Sequence, residues 1–274
     1  MSDFWNGAAG KRWVAAAHRY DAQLASYLHH IIIRSRLHAD ERVLDIGCGT
    51  GALTLAARRR LGMSGRVTGI DISKKMVRSA NRSLEISGLT DVEFLTADAQ
   101  TEHLGTAEFD VAISRFGVMF FDDPGVAFSN VSRAVRPGGR LVFACWQSPE
   151  ANPWLTIPRA ATEDLIDLGE FDPAAPGPFS MSDTERTLKM LGQAGWIGVT
   201  ATPLVGPIYV GGPGTVSEAV DFVMSTGIIA TGLKGRKKKR VRKVETALTE
   251  ALAPHHDGVG VSLSAGVWLV DARR

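Results

Sequence analysis

Apolar and polar positions follow two rhythms along this chain. Up to about Leu37 the apolar residues recur at helical spacing, with Leu24, Tyr27, Leu28, Ile31 and Ile32 on one face. Ahead of them, FWNGAAGKRWV is an aromatic, glycine-broken segment holding Trp5 and Trp13, too short for a core of its own. From Arg42 onward short apolar runs alternate with helical patterns. The runs predict strands at Arg42–Ile46, Arg66–Asp71, Val92–Ala97, Phe109–Ser114 and Arg140–Cys145. One helix spans Gly51 to about Leu61, and a second starts from Ser73 as N-cap and closes at Gly88. A third starts from Asp123 with Pro124 at its first position and ends at the turn Arg136–Gly139. Strands and helices alternating at this length predict an α/β fold with a doubly wound, parallel sheet and right-handed crossovers.

After Trp146 the rhythm changes. Residues 150–168 read as helix, and 169–180 form a proline-rich loop. Ser182 with Glu185 reads as a capping box for a helix ending near Gly195. Val199–Val205 and Val261–Val270 predict a final hairpin-like pair of strands, and about 50 residues between them leave room for two helices. The chain reads as an N-terminal helical cap, residues 1–37, followed by one domain, residues 38–274. That domain carries insertions at about 147–182 and 206–258 over the mouth of the sheet.

Composition narrows the class without choosing a function. Apolar content of 45% and charged content of 22% are those of a globular protein. No apolar h-region opens the chain and no run approaches membrane-spanning length, so a cytoplasmic protein is expected. Cys48 and Cys145 make no disulfide framework, and no His or Cys spacing resembles a metal site. The net charge is +2, but Lys234–Lys243 (KGRKKKRVRK) holds eight basic residues; without them 23 basic face 29 acidic residues, a balance of −6. The body therefore lacks the broad basic field of a nucleic-acid binder. Val241, Val244, Leu248 and Leu252 follow at spacings of three and four, so the run reads as the solvated face of an amphipathic helix.

Chemistry concentrates in RVLDIGCGTGAL, Arg42–Leu53. A strand, a turn with Gly47, Gly49 and Gly51, and a helix start in succession are how a doubly wound sheet builds a nucleotide site. Taken alone the turn is ambiguous, because Gly47, Gly49 and Ala52 also satisfy a dinucleotide fingerprint. Asp45 precedes the glycines directly, where a carboxylate repels a pyrophosphate and attracts an ammonium. Asp71 ends the second strand, where it suits ribose hydroxyls. Asp98–Ala99 closes the third, where a carboxylate and an amide suit an adenine edge.

Together LDIGCGTG, GIDIS, ADAQ, FDVAISRFGVMFF and VRPGGRLVF resemble the ordered motifs of class I S-adenosylmethionine-dependent methyltransferases. The resemblance is to the ubiquinone/menaquinone-methyltransferase-like branch with its natural-product enzymes, and it holds from about residue 40 to 146. It implies a Rossmann-like, seven-stranded sheet with an antiparallel last strand. It also implies S-adenosylmethionine as cofactor, no metal, and a cradle of Asp45, Gly47 and Gly49 for the methionine part. By the same resemblance Asp71 holds the ribose, Ile72 lies beneath the adenine, Asp98 and Ala99 read its edge, and Ser114 closes the floor. Tyr20, paired in sequence with Asp21, is the candidate to lie over the cofactor, though an ordinary packing role suits it equally.

The acceptor is less legible. The loop after the fourth strand offers Phe116, Met119, Phe120 and Phe121. The later segments add Trp154, Phe171, Phe179, Tyr209, Phe222 and Met224, many of them equally suited to plain core. With Trp13 they predict an apolar, aromatic pocket for a small, flat molecule, indole- or quinone-like, methylated at carbon or nitrogen. Arg115 invites either an acidic acceptor group or an ion pair with the cap. No base signature stands near these motifs; His18 and Glu163 are the candidates. Two other readings stand beside this one: an RNA or protein methyltransferase gripping through the basic run, and a non-catalytic cofactor-binding regulator. A homodimer through the cap or the insertion is open.

Overall fold

A computed structural model describes residues 1–170 and 172–274. The strands are β1 (Arg42–Ile46), β2 (Arg66–Asp71), β3 (Val92–Thr96), β4 (Phe109–Arg115), β5 (Val135–Trp146), β6 (Ile197–Tyr209) and β7 (Ser262–Arg273). They form one seven-stranded sheet in the order β3-β2-β1-β4-β5-β7-β6. Pairing is parallel through β5, and β7 runs antiparallel to both β5 and β6. The expected antiparallel last strand is therefore present, inserted between β5 and β6 as the second half of a hairpin.

The central strands are apolar on both faces because helices cover both, as parallel sheets require. Val43, Leu44, Val111, Ala112 and Ile113 are fully buried. Helices α1 (Ser2–Asn6), α2 (Ala8–Ala15), α3 (Ala17–Gln23) and α4 (Ala25–Ser35) precede the sheet. The first of these breaks falls at Gly7, where a Cβ would lie 2.8 Å from the Asp3 carbonyl. Helices α5 (Ala52–Arg58), α6 (Lys74–Ser87) and α7 (Pro124–Ala134) are the sheet crossovers. Ser73 Oγ accepts from Met76 N and Asp123 Oδ1 from Val126 N, so both expected N-caps form.

Three local expectations change. The pairing of β5 begins at Val135 and passes through the glycine turn, with a register shift opposite Phe109 and Val111. Helix α9 (Thr184–Gln193) is capped by Asp183, which accepts from Arg186 N; the expected cap, Ser182, is committed elsewhere. Its N–H bonds Phe179 O and its carbonyl accepts from the Trp268 indole. Finally, the 50-residue segment holds three helices, α10 (Val216–Ser225), α11 (Gly227–Gly232) and α12 (Lys238–Leu252).

Those helices share a second core with α8 (Pro153–Thr162), built around Ile166, Phe222, Val223, Val244, Leu248 and Leu252. Val244, Leu248 and Leu252 are wholly buried, which turns the basic side chains of α12 to water. Tyr20 packs against the same core, and Trp154 packs against both it and the main core, joining it to the sheet. No described helix is long and apolar enough to cross a membrane.

Candidate active site

The carboxyl ends of β1, β2, β3 and β4 open into one cavity of about 730 Å³. The turn after β1 places Gly47, Gly49 and Gly51 at φ of +64°, +57° and +93°, a region that excludes most side chains. At Gly47 the reason is also steric: a Cβ there would lie 2.8 Å from the Gly117 Cα. The turns after β1 and β4 thus touch, glycine to glycine. Phe116, just before Gly117, is held at φ +62°, a strained position for an aromatic residue, by stacking on Trp146 at 4.3 Å.

Asp71 ties the glycine turn to β2. Its Oδ2 accepts from Gly49 N at 2.9 Å and its Oδ1 from Ser73 N at 2.8 Å, and burial raises its pKa. Each oxygen keeps a second lone pair toward the cavity it lines. Asp98 Oδ1 accepts from Gln100 N, and Asn130 holds the Ala99 carbonyl at 2.9 Å. Ile72, Asp98 and Ala99 line the cavity together with Gly47, Gly49 and Asp71.

Two of the expected cofactor residues sit behind the wall instead. Asp45 is fully buried, takes a hydrogen bond from Thr54 Oγ1 at 2.6 Å, and leaves Oδ1 without a partner. Burial raises its pKa to about 7 despite the Thr54 bond. Ser114 donates to Ile46 O at 2.7 Å and accepts from Gly117 N, so it braces the two touching turns from beneath.

The other wall is aromatic. Trp13 stacks on Tyr20 at 3.8 Å and 11°, and Trp5 meets Phe120 edge-on at 4.9 Å. Burial pushes the Tyr20 hydroxyl up to about 12, and it shares a hydrogen bond with Thr226. Trp13, Tyr20, Phe116, Met119, Phe120, Phe121 and Trp154 line the cavity. Phe179 does not; it is buried in the main core, because the loop before α9 turns it inward. Phe222 is core as well, Tyr209 bonds Asp257 away from the cavity, and Met224 packs on the second core. Phe171 lies outside the described residues.

Arg115 ends β4 and lines the cavity, with Nη2 on Asp21 Oδ1 at 2.5 Å and Nη1 buried without a partner. Of the two outcomes expected for it, the ion pair with the cap is the one formed. Neither candidate base reaches the site. His18 and Glu163 are both exposed and outside the lining, since α3 and the end of α8 turn those positions to solvent. No histidine is present among the described lining residues.

Several lining residues escaped the sequence reading. Trp146 was legible as an aromatic at a strand end. Leu24, Leu155, Ile228, Arg12, Lys234 and Arg236 reach the cavity only through tertiary packing. Asn6 also acts here: its amide donates to Ile72 O and accepts from Lys74 N, both at 3.1 Å, locking α1 onto the β2 turn.

The residues fit S-adenosylmethionine on one observation above all. The described residues leave two buried polar side-chain atoms without partners, Asp45 Oδ1 and Arg115 Nη1. They are of opposite charge: Arg115 lines the cavity and suits the carboxylate of a bound amino acid, while Asp45 lies beneath the glycine turn and its charge favours an ammonium above it. Asp71 and Asp98 would hold the ribose and the adenine.

Comparison with known proteins agrees. Residues 43–139 match the family model described as a methyltransferase domain. The chain is 33% identical over 134 residues to the aklanonic acid methyltransferase DauC of Streptomyces sp. strain C5, covering 46% of this chain and 60% of that one. It is 32% identical over 123 residues to the ubiquinone/menaquinone biosynthesis C-methyltransferase UbiE of Marinomonas sp. strain MWYL1, covering 44% and 49%. The chain thus spans roughly half the length of these curated relatives. The fold is shared with the YcgJ protein of Bacillus subtilis at a TM-score of 0.60 and 21% identity, over 91% of this chain and 98% of the other. Residues 43–139 thus match a methyltransferase domain, in line with the S-adenosylmethionine-dependent methyltransferases that the ordered motifs resemble.

Proposed function

We propose that this protein transfers the methyl group of S-adenosylmethionine to carbon or nitrogen of a small, flat, largely apolar molecule, indole- or quinone-like. One observation carries the reading. The glycine turn and carboxylates that suit the cofactor line the same 730 Å³ cavity as Trp13, Phe120, Trp146 and Trp154. That volume lies within the roughly 300–1,000 Å³ of ligand pockets. Two curated relatives named for aklanonic acid and for ubiquinone/menaquinone support a flat organic acceptor.

The cofactor supplies an electrophilic methyl on a sulfonium, an excellent leaving group. What remains for the protein is to exclude water and hold the acceptor in line, which proximity and orientation accomplish. The aromatic wall does the first. Asp71 and the Gly47–Gly117 contact fix the turn against which the donor lies, so that an acceptor held by the aromatic wall meets it in line. No histidine stands among the described lining residues, and burial pushes the Tyr20 hydroxyl up to about 12, away from the range of a general base. The reading is thus a nucleophile that needs no base at the site: either already ionised, or neutral and electron-rich, with the methylated cation giving its proton to solvent on release.

Incubating the protein with methyl-labelled S-adenosylmethionine and a panel of indoles, hydroquinones and naphthols tests this. Label in the organic extract is expected, and its loss in Asp71→Ala. Label incorporated only into added RNA or protein would replace this reading with the alternative one.

A further inference from the structure

The basic run acquires a place in the fold that its sequence pattern does not explain. The buried face of α12 accounts for Val244, Leu248 and Leu252, and for the exposure of the charges that follow the helix start. It does not account for Lys234 and Arg236. These precede the helix, are exposed, and line the mouth of the cavity. Arg12, from α2 and more than 200 residues away in the chain, lines the same mouth.

Two of the three cations are held at this rim by specific contacts. Arg12 Nη2 donates to Thr231 Oγ1 at 3.3 Å, bridging the N-terminal helices to α11. Arg236 Nε donates to Gly232 O at 3.1 Å, which folds its guanidinium back over the end of α11. None of the three has a carboxylate within 4.0 Å among the described residues. Behind them the N-terminus of α12 has Lys237 as its cap position, Lys238 and Lys239 in its first turn, and no acid there. Cations at that end oppose the helix dipole. Asp167 is the acid that shares this part of the mouth, with Oδ1 bonded to Gly169 N at 2.9 Å. Like charges gathered from two distant segments at the rim of an apolar chamber focus a positive field on its entrance.

We propose that the mouth formed by Arg12, Lys234 and Arg236 binds an anionic group, a carboxylate or phosphate, carried by the acceptor at the end remote from the methylated atom. The inference rests on the acceptor reading above and narrows it. The acceptor is amphipathic, with a flat apolar body in the aromatic chamber and an anion at the rim. The inner cation, Arg115, is held by Asp21 and stands apart from this function.

Calorimetric titration of the full chain saturated with S-adenosylhomocysteine tests it, with naphthoate, naphthyl phosphate and neutral naphthalenemethanol as probes. The anionic probes are expected to bind about tenfold more tightly than the alcohol at low ionic strength, with the advantage shrinking as salt is added. Lys234→Gln/Arg236→Gln should remove that advantage while leaving the affinity for the alcohol unchanged. Equal binding of alcohol and anions, or failure of all three to bind, overturns the proposal. So does an advantage that survives the double variant but is lost in Arg115→Gln, which would move the anion to the inner cation. Failure of S-adenosylhomocysteine itself to bind would instead strike the underlying reading of the cavity.

Discussion

The two walls of the cavity are made in opposite ways. The cofactor wall is backbone and strand ends: Gly47, Gly49, Asp71, Asp98 and Ala99, all within about fifty residues of sequence, positioned by the sheet and by hydrogen bonds near 2.9 Å. The acceptor wall is side chains from α2, α3, the loop after β4, α8 and α11, held by aromatic packing. The first fixes a ligand whose chemistry is set by its charges. On the proposed reading the second sets the size, flatness and rim charge of the acceptor. The proposed donor wall is thus set by the backbone and the sheet, and the proposed acceptor wall by side-chain packing.

The largest effect expected on this contrast is Gly47→Ala. Its positive φ and the 2.8 Å approach to Gly117 leave no space for a Cβ. Strain of about 1–3 kcal/mol at such a position, if carried into the bound turn, corresponds to a loss of roughly five- to 150-fold in S-adenosylhomocysteine affinity. Calorimetry checks it, with circular dichroism confirming the fold. Asp71→Asn should follow, at around tenfold, because the amide keeps one acceptor for Gly49 or Ser73 and surrenders the charge.

A pH profile sharpens the donor side further. Asp45 is raised to about 7 by burial, and the cofactor's ammonium would favour its ionised form. Binding below that pH then releases a proton, so affinity should rise with pH up to about 7 and level off above it, by at most about tenfold per pH unit. In Asp45→Asn the slope should vanish. The acceptor wall gives the smallest effect on the donor. Trp154→Ala should raise the acceptor KM several-fold while changing S-adenosylhomocysteine affinity by less than about twofold, because its ring packs on Trp146 and the second core and not on the glycine turn.

The same contrast decides what the sequence made legible. Strand ends carry their residues to a predictable place, so once β1, β2 and β3 were recognised from their apolar runs, Asp71 and Asp98 followed. Asp45 was found too, but its burial beneath the turn depends on Thr54, which no spacing rule picks out. On the acceptor side an aromatic residue reads the same whether it lines a cavity or fills a core. Phe120 and Phe179 are indistinguishable until the loop before α9 turns Phe179 inward. His18 stands near Tyr20 in sequence, but positions two apart on a helix face different ways, and α3 turns it to solvent. Arg12 and Lys234 share the cavity mouth only because α2 and α11 meet there, a contact between segments more than 200 residues apart.

The most direct test of the two-walled cavity is a crystal structure with S-adenosylhomocysteine bound. The account predicts the adenosine on Asp71 and Asp98, the amino-acid end above the glycine turn with its carboxylate on Arg115, and the sulfur facing the chamber of Trp13, Phe120 and Trp154. Adenine seated in that aromatic chamber, or the ligand bound away from the glycine turn, would contradict it.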